Sequence, residues 1–328
     1  MLKILVDAHV FDENYFQGTT SYIKGLYMNN PYLDVTLAAR DEDNLKSIFG
    51  NEIKTVKLRH SSRFGRLFID FPRLFSVGNY DLVHFQYIAS PLLYNYSIVT
   101  IHDVLFKDYG LYFKGISWQI KDISYWITYK LSRHILTVSE YSKNRLLSHY
   151  GAKTIGVTEN MFDRRIEEKN NPGVNGKFIL VVSRDEKRKR LDLLEVLLDR
   201  MDAIQLVVVT NSDRFQNRSR VISFSSLDQS QLNWLFANCH FSIFPSECEG
   251  FGMPIIESLV SGRIVLARNA SAMSTLKIPD ECFFIDDWDL VERARILWYR
   301  SRDENRVYFS QYNDWDIPQR KLYNMLLK

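Results

Sequence analysis

The sequence predicts an α/β protein made of two doubly wound domains. Three observations carry that expectation. Short β-rich apolar runs alternate with longer amphipathic stretches along all 328 residues, the pattern of parallel sheets with helices on both faces. Near the middle, residues 164–176 (RRIEEKNNPGVNG) are charged and then rich in Asn, Gly and Pro, and a fresh apolar strand follows, which marks a linker. The length itself suits two domains.

The elements follow in order. Residues 3–6, 34–38, 82–86, 97–101 and 134–138 read as strands of the first domain, and 178–183, 205–210, 240–245 and 263–267 as strands of the second. Helical spacing falls on 20–29, 139–150, 191–201 and 228–237. Asp228 with Gln231 forms a capping-box pattern, and Gly151 stands where a helix C-terminal glycine belongs. The expected boundaries are a first domain over 1–163, the linker 164–176, a second domain over 177–308 and a final segment 309–328.

Composition excludes several classes. Apolar residues make up 46% and charged residues 25%, which rules out long disorder and coiled coil. Forty-two Lys and Arg against 39 Asp and Glu leave +3, too balanced for a dedicated nucleic-acid binder. The small basic excess lies in residues 1–165, at +4, against −1 in 166–328. Cys239, Cys248 and Cys282 form neither a CxxC pair nor an even set, so the expected compartment is the reducing cytoplasm. Asp7 interrupts the first apolar run too early for a secretory signal, and no run approaches the ~20 apolar residues of a membrane span.

The chemistry concentrates in residues 244–257, FPSECEGFGMPIIE. A buried strand ends at Pro245, a loop with two glycines follows, and Pro254 suits the first turn of a helix. Gly250 and Gly252 allow a ligand close to the backbone, and the free N–H groups of the helix start suit an anionic or oxygen-rich partner. Glu249 and Glu257 add two acceptors at the carboxyl end of a strand, where open α/β sheets bind ligands. The bland alternative is a surface loop with two unrelated glutamates. Upstream, residues 187–190 (KRKR) sit before an expected helix, where positive charge is unfavourable unless an anion binds.

Glu249-Gly-Phe-Gly-Met-Pro-x-x-Glu257 resembles the E-x7-E signature of the retaining family 4 glycosyltransferases, which have the GT-B fold of two Rossmann-like domains facing across a cleft. The resemblance extends along the chain in family order. Residues 179–194 are similar to the family's strand, arginine and Arg-Lys pair; 99–103 (VTIHD) resemble its acceptor-side histidine motif; and 137–143 (TVSEYSK) resemble its strand–serine–helix element. Residues 80–84 and 18–22 are fainter matches.

The resemblance implies transfer of a hexose from a nucleotide-diphosphate sugar to a saccharide or lipid-linked saccharide, in bacterial surface polysaccharide (O-antigen or capsule) assembly. It also implies that the anomeric configuration is retained and that no metal or other cofactor is required. Arg184 and Lys189 would neutralise the diphosphate, and Glu249 would face the transferred sugar with Gly250, Phe251, Gly252 and Met253. Glu257 would hold the ribose hydroxyls, and His102 would line the cleft from the first domain, with Gly18 and Asp103 on the acceptor side. A core histidine bonded to backbone is the alternative for His102. Arg188 and Arg190 are expected to be solvent-facing or supporting, and residues 309–328 to cross back onto the first domain.

The chain also departs from the family pattern. It has Gln17-Gly18-Thr19 where two glycines are usual, Ser183 for the glycine before the arginine, Cys248 for an aromatic, and no glutamate in 270–276. The rivals are a non-catalytic sugar- or nucleotide-binding subunit, against which the four charged site residues argue, and a GT-B sugar-nucleotide epimerase, which the E-x7-E loop fits poorly.

Two further signals remain. Asp41-Glu42-Asp43 has the form of a D-x-D metal site but reads as a helix start. Residues 54–75 carry six Lys/Arg against one Asp with phenylalanines interleaved; this suits an anionic bilayer surface, or equally a helix packing its aromatics inward. Residues 107–133, with Trp118, Tyr125, Trp126 and Tyr129, leave the same choice between core and contact with acceptor or membrane.

Overall fold

The structure is a computed structural model and describes residues 1–12, 18–113, 115–162 and 170–327. Contacts divide the chain into two units, Met1–Met161 with Asp314–Lys328, and Phe162–Asn313.

The first unit holds a seven-stranded parallel sheet: β1 (Leu2–Asp7), β2 (Leu33–Ala39), β3 (Lys54–Lys57), β4 (Leu82–Gln86), β5 (Ser97–Thr100), β6 (His134–Thr137) and β7 (Ile155–Val157) in the order 3-2-1-4-5-6-7. The second unit repeats the plan with β8 (Ile179–Val182), β9 (Leu206–Val209), β10 (Val221–Phe224), β11 (Phe241–Phe244), β12 (Val265–Arg268) and β13 (Phe283–Phe284) in the order 10-9-8-11-12-13. Every strand pair is parallel. Helices cover both faces of such a sheet, so its central strands are apolar without alternation: Ile4, Leu5 and Val6 in β1, and Leu206, Val207 and Val208 in β9, are fully buried.

The helices used below are α1 (Gly18–Tyr27), α2 (Glu42–Phe49), α3 (Phe71–Gly78), α4 (Ile116–Leu131), α5 (Glu140–Tyr150), α6 (Leu193–Arg200), α7 (Gln229–Asn238), α8 (Met253–Val260), α9 (Asp287–Tyr299) and α10 (Asp316–Leu326). Asp228 and Gln231 close the expected capping box on α7. Gly151 ends α5 at φ +89°, and its N–H donates to Leu147 O. Asp41 caps α2 by accepting from Asn44 N, so the D-x-D-like triplet starts a helix.

Four strands escaped the reading of the sequence: β3, β7, β10 and β13. All four are sheet edges. Edge strands are short and partly solvated, so they lack the apolar run that marks an interior strand. Residues 54–75 accordingly do not form one helix. Lys54–Lys57 is the edge strand β3, and helix resumes at Arg63, with a π turn over Arg66–Asp70 leading into α3. Buried Asp70 accepts from Arg59 N, His60 N and His60 Nδ1, each at 2.9 Å, and pins the intervening loop. The expected linker falls partly on residues 163–169, which lie outside the described residues.

The segment 309–328 divides between the units: Phe309–Asn313 belongs to the second, and Asp314–Lys328 to the first. Tyr32 donates to Asp316 at 2.6 Å, Gln319 Nε2 to Gly25 O at 2.9 Å, and Lys321 pairs with Glu159 at 2.6 Å. Trp315 lies against Gly25, where an added Cβ would come within 1.9 Å of the indole. Gly25→Ala in an exposed helix would gain up to ~1 kcal/mol. Here it should instead lower stability by ~1–3 kcal/mol, and Trp315→Ala in the same chain should remove most of that penalty. Thermal denaturation of the two single variants and the double variant measures both effects.

Candidate active site

In the second unit the strand order reverses between β8 and β11. Chains leaving these neighbouring strands wind to opposite faces, and the carboxyl end of the sheet at such a reversal is where open α/β sheets bind ligands. Arg184 follows β8, and the signature loop 245–252 follows β11.

The basic run takes a form the sequence did not suggest. Lys187–Lys189 is a separate 3₁₀ turn, Arg190 follows at φ +51°, and α6 begins only at Leu193. The four cations therefore do not crowd a helix N-terminus; for three of them, side-chain carboxylates compensate the charge. Glu249 receives Lys189 Nζ and, at 3.2 Å, Arg188 Nη1. Arg188 also donates to Cys248 O at 2.9 Å and pairs with Glu186 at 2.8 Å. Arg190 binds Glu247, Asp192 and Asp287, at 2.7, 3.0 and 3.0 Å. Of the two readings left open for Arg188 and Arg190, both arginines prove supporting. Arg184 stands apart: it is exposed and has no ion pair among the described residues.

The loop is held from a second side. Glu249 N donates to Ser271 Oγ at 2.9 Å, and Glu247 N to Arg188 O at 2.8 Å. Phe251 turns inward, edge-on to Tyr312 at 5.8 Å, which leaves the loop backbone rather than this ring to meet a ligand. Gly252 sits at φ +103° before α8, a conformation other residues adopt only with strain. Met253 opens the helix, with Pro254 in its first turn.

The two glutamates of the signature differ electrostatically. Burial pushes Glu249 up, but Lys189 and Arg188 outweigh it and hold the carboxyl below the ordinary range. Glu257, half-buried on α8, has no side-chain partner among the described residues, and burial pushes it up to about 7. It is an unsatisfied acceptor suited to ligand hydroxyls.

In the first unit, His102 lies just beyond β5 and is 7% exposed. Its Nε2 bonds Gln86 Oε1 at 2.8 Å. The ring is flanked by Tyr22 and Tyr87, each with centroids 5.1 Å away. Burial pushes the imidazole down to about 3, so it is neutral at physiological pH. The partner is a side chain on β4, not the backbone of the alternative reading. Tyr87 has φ +66° and bonds Thr19, next to Gly18 at the start of α1. Asp103 Oδ1 accepts from Leu105 N at 3.2 Å. Gly18, His102 and Asp103 thus stand on one unit, and Arg184, Lys189, Glu249 and Glu257 on the other. The sequence reading missed Ser271 and the engagement of Arg188. Ser271 carries no local signal, because its role comes from a loop that tertiary folding brings alongside.

Two parallel sheets, each reversing its strand order at the centre, with acids and cations at the strand ends, define a GT-B fold. Residues 162–313 match the family model described as glycosyl transferases group 1, and residues 32–165 that described as glycosyltransferase family 4. The chain thus carries the two domains of a family 4-like, group 1 glycosyltransferase. Among solved structures it is similar to sucrose-phosphate synthase from Thermosynechococcus elongatus, with a TM-score of 0.77 and 16% identity over 100% of this chain and 99% of that one. It is also similar to HepE of Anabaena in complex with UDP and glucose, with a TM-score of 0.71 and 16% identity over all of both chains. A third is WaaG, a glycosyltransferase involved in lipopolysaccharide biosynthesis, with a TM-score of 0.69 and 14% identity over 99% of both chains. No curated protein sequence matches significantly.

A carboxyl with a raised value in the fold favours the folded state while protonated. That advantage is lost as pH rises from 4.5, the ordinary value, through about 7. Glu257→Gln cannot ionise. Its melting temperature should therefore exceed that of the native protein at pH 8, by the equivalent of up to about 3 kcal/mol, and the two should converge at pH 4. Calorimetry at the two pH values checks this.

Proposed function

We propose that the protein is a retaining glycosyltransferase that moves a hexose from a nucleotide-diphosphate sugar to a saccharide or lipid-linked saccharide, in bacterial surface polysaccharide or lipopolysaccharide assembly. The observation that carries the reading is the set of side chains gathered at the carboxyl ends of β8 and β11, where the strand order reverses. There Arg184 and Glu257, neither with a side-chain partner among the described residues, and a Lys189–Glu249–Arg188 cluster accompany a glycine-bearing helix start. Those groups match the parts of such a donor: cations for the diphosphate, backbone N–H groups and a carboxylate for the sugar, and an acceptor for ribose hydroxyls. The UDP and glucose bound to HepE fit the same donor class.

Arg184 and Lys189 neutralise charge as the nucleotide leaves, the role a divalent ion plays elsewhere, so the reading calls for no metal. The departing phosphate accepts the proton of the attacking hydroxyl, so attack comes from the leaving-group face and no dedicated protein base is needed. Glu249 orients the sugar, and neutral His102 lines the acceptor side near Gly18 and Asp103. An α-linked donor should then give an α-linked product, read from the anomeric coupling by NMR; a β-linked product overturns the mechanism. Arg184→Ala and Lys189→Ala should each slow turnover by ~30- to 1,000-fold, the loss of one charge-assisted contact in the transition state. Rates within about twofold of native in both variants would refute the clamp.

A lipid-linked acceptor is met at the cytoplasmic face of a membrane, and α4 supports that setting. Tyr125 and Tyr129 point inward, and Trp118 and Tyr125 pack around Lys121, with Nζ 4.5 and 5.2 Å from their rings. The outward face is apolar instead: Ile116, Ile120 and Ile123, at successive turns, are 74%, 60% and 59% exposed. Exposed Phe64 and Phe68, with Arg63 and Arg73, which have no ion pair among the described residues, lie in the segment leading into and through α3. An anionic bilayer matches both the apolar face and the charge. No described helix is long and apolar enough to cross a membrane. Ile120→Glu with Arg73→Glu should abolish sedimentation with phosphatidylglycerol vesicles. Binding that survives the double change, or that ignores added salt, removes the bilayer from the reading.

A further inference from the structure

The His102 side chain offers two nitrogens, and which one carries the proton decides what it can do for a substrate. Gln86 Oε1 lies 2.8 Å from Nε2. A carbonyl oxygen only accepts, so Nε2 is the protonated nitrogen. Nδ1 is then a bare lone pair, with no partner among the described residues. The amide end of Gln86 faces His84 Nε2 at 3.4 Å, and His84 in turn meets Thr100 Oγ1 at 2.8 Å and Tyr27 Oη. Gln86 is therefore held on both ends by imidazoles. The His102 ring is also kept from turning over, by Tyr22 edge-on on one element and by Tyr87 tilted against it. Tyr87 reaches that place through its left-handed backbone at φ +66°, a conformation that costs about 1 kcal/mol or more and is retained where the surroundings demand it.

We infer that Gln86 is a positioning residue: it fixes His102 in the Nε2–H form and so presents Nδ1 as a neutral hydrogen-bond acceptor for a substrate hydroxyl. This deepens the glycosyltransferase reading and rests on its placement of His102 at the substrate. The chemical consequence is specific. His102 selects a hydroxyl that donates, and it disfavours an anionic group at that point, because a lone pair facing a phosphate or carboxylate oxygen is repelled. The groups around the imidazole from each packed element are Tyr22 on α1, His84 on β4, Tyr87 after β4 and Asp103 beyond β5. His84 is itself held neutral, with burial pushing it down to about 3.

The test combines spectroscopy with kinetics on the full chain. Two-bond ¹⁵N–¹H correlations of the native protein at pH 7 should show His102 protonated on Nε2 alone; protonation on Nδ1 overturns the inference without touching the proposed reaction. Gln86→Leu should give a mixed tautomer and reduce kcat roughly 10- to 100-fold with donor KM unchanged, the loss expected when one oriented hydrogen-bonding group is released. Gln86→Glu places a carboxylate beside the ring, which should lift the His102 pKa. Its rate should then fall on the acid side, between about pH 5 and 7, as Nδ1 takes a proton and stops accepting. A Gln86→Glu profile superimposable on the native one overturns the inference. Absence of sugar transfer from any nucleotide sugar by the native protein instead overturns the functional reading, and the tautomer is still decided by the spectrum.

Discussion

The constraint on which the site depends is the reversal of strand order inside each parallel sheet. A parallel sheet that winds one way from β8 to β10 and the other way from β11 to β13 must send its two central connections to opposite faces. The space between those connections cannot be filled by either helix layer. It is bordered by strand ends, loop backbone and the first turn of α8. A polar ligand site is thus a by-product of the topology, and residues recruited to the loops after β8 and β11 decide which ligand it takes.

Charge at those strand ends is arranged so that it survives burial. Isolated, Glu249 could not remain ionised in so enclosed a position; Lys189 and Arg188 make its charged form the stable one and leave the three-residue cluster with a single net positive charge. Arg190 extends the same logic outward, tying the 3₁₀ turn to Glu247 on the signature loop and Asp287 at the start of α9. The signature loop is therefore braced by ion pairs at its base and by Ser271 at Glu249 N. Glu257 has no such compensation. Its elevated pKa is a local cost to stability that a bound hydroxyl would relieve, and residues that weaken the fold in this way are expected at functional positions.

The first unit solves a different problem. Strand β4 is fully buried yet contains His84 and Gln86, so each polar side chain needs a partner. The chain of contacts through Tyr27, His84, Thr100, Tyr22 and Thr158 provides partners in the core, and Gln86 carries that order to His102 at the strand ends. The outward apolar face of α4 is the reverse case, with apolar groups left in solvent where packing did not require them. Both features break the ordinary sorting of residues between core and surface.

The sequence by itself determined the fold class, the interior strands and the helix caps, because those depend on local patterns: apolar runs for strands buried on both faces, Asp228 with Gln231, Asp41 before α2, Gly151 after α5. It also singled out Glu249, Gly250, Gly252, Pro254 and Glu257 as one loop, since their spacing is written in contiguous residues, whereas Arg184 and Lys189 were joined to that loop only through the family resemblance. The four edge strands were not legible, because an edge is defined by the neighbour it lacks and its residues look like solvated loop. The partners of the basic run were likewise hidden, as Arg188 and Lys189 meet Glu249 some sixty positions away in sequence. The role of Ser271, the clamp on His102 and the outward direction of Ile116, Ile120 and Ile123 belong to the same class. Each depends on which groups share a few ångströms of space, and only the packing of distant segments decides that.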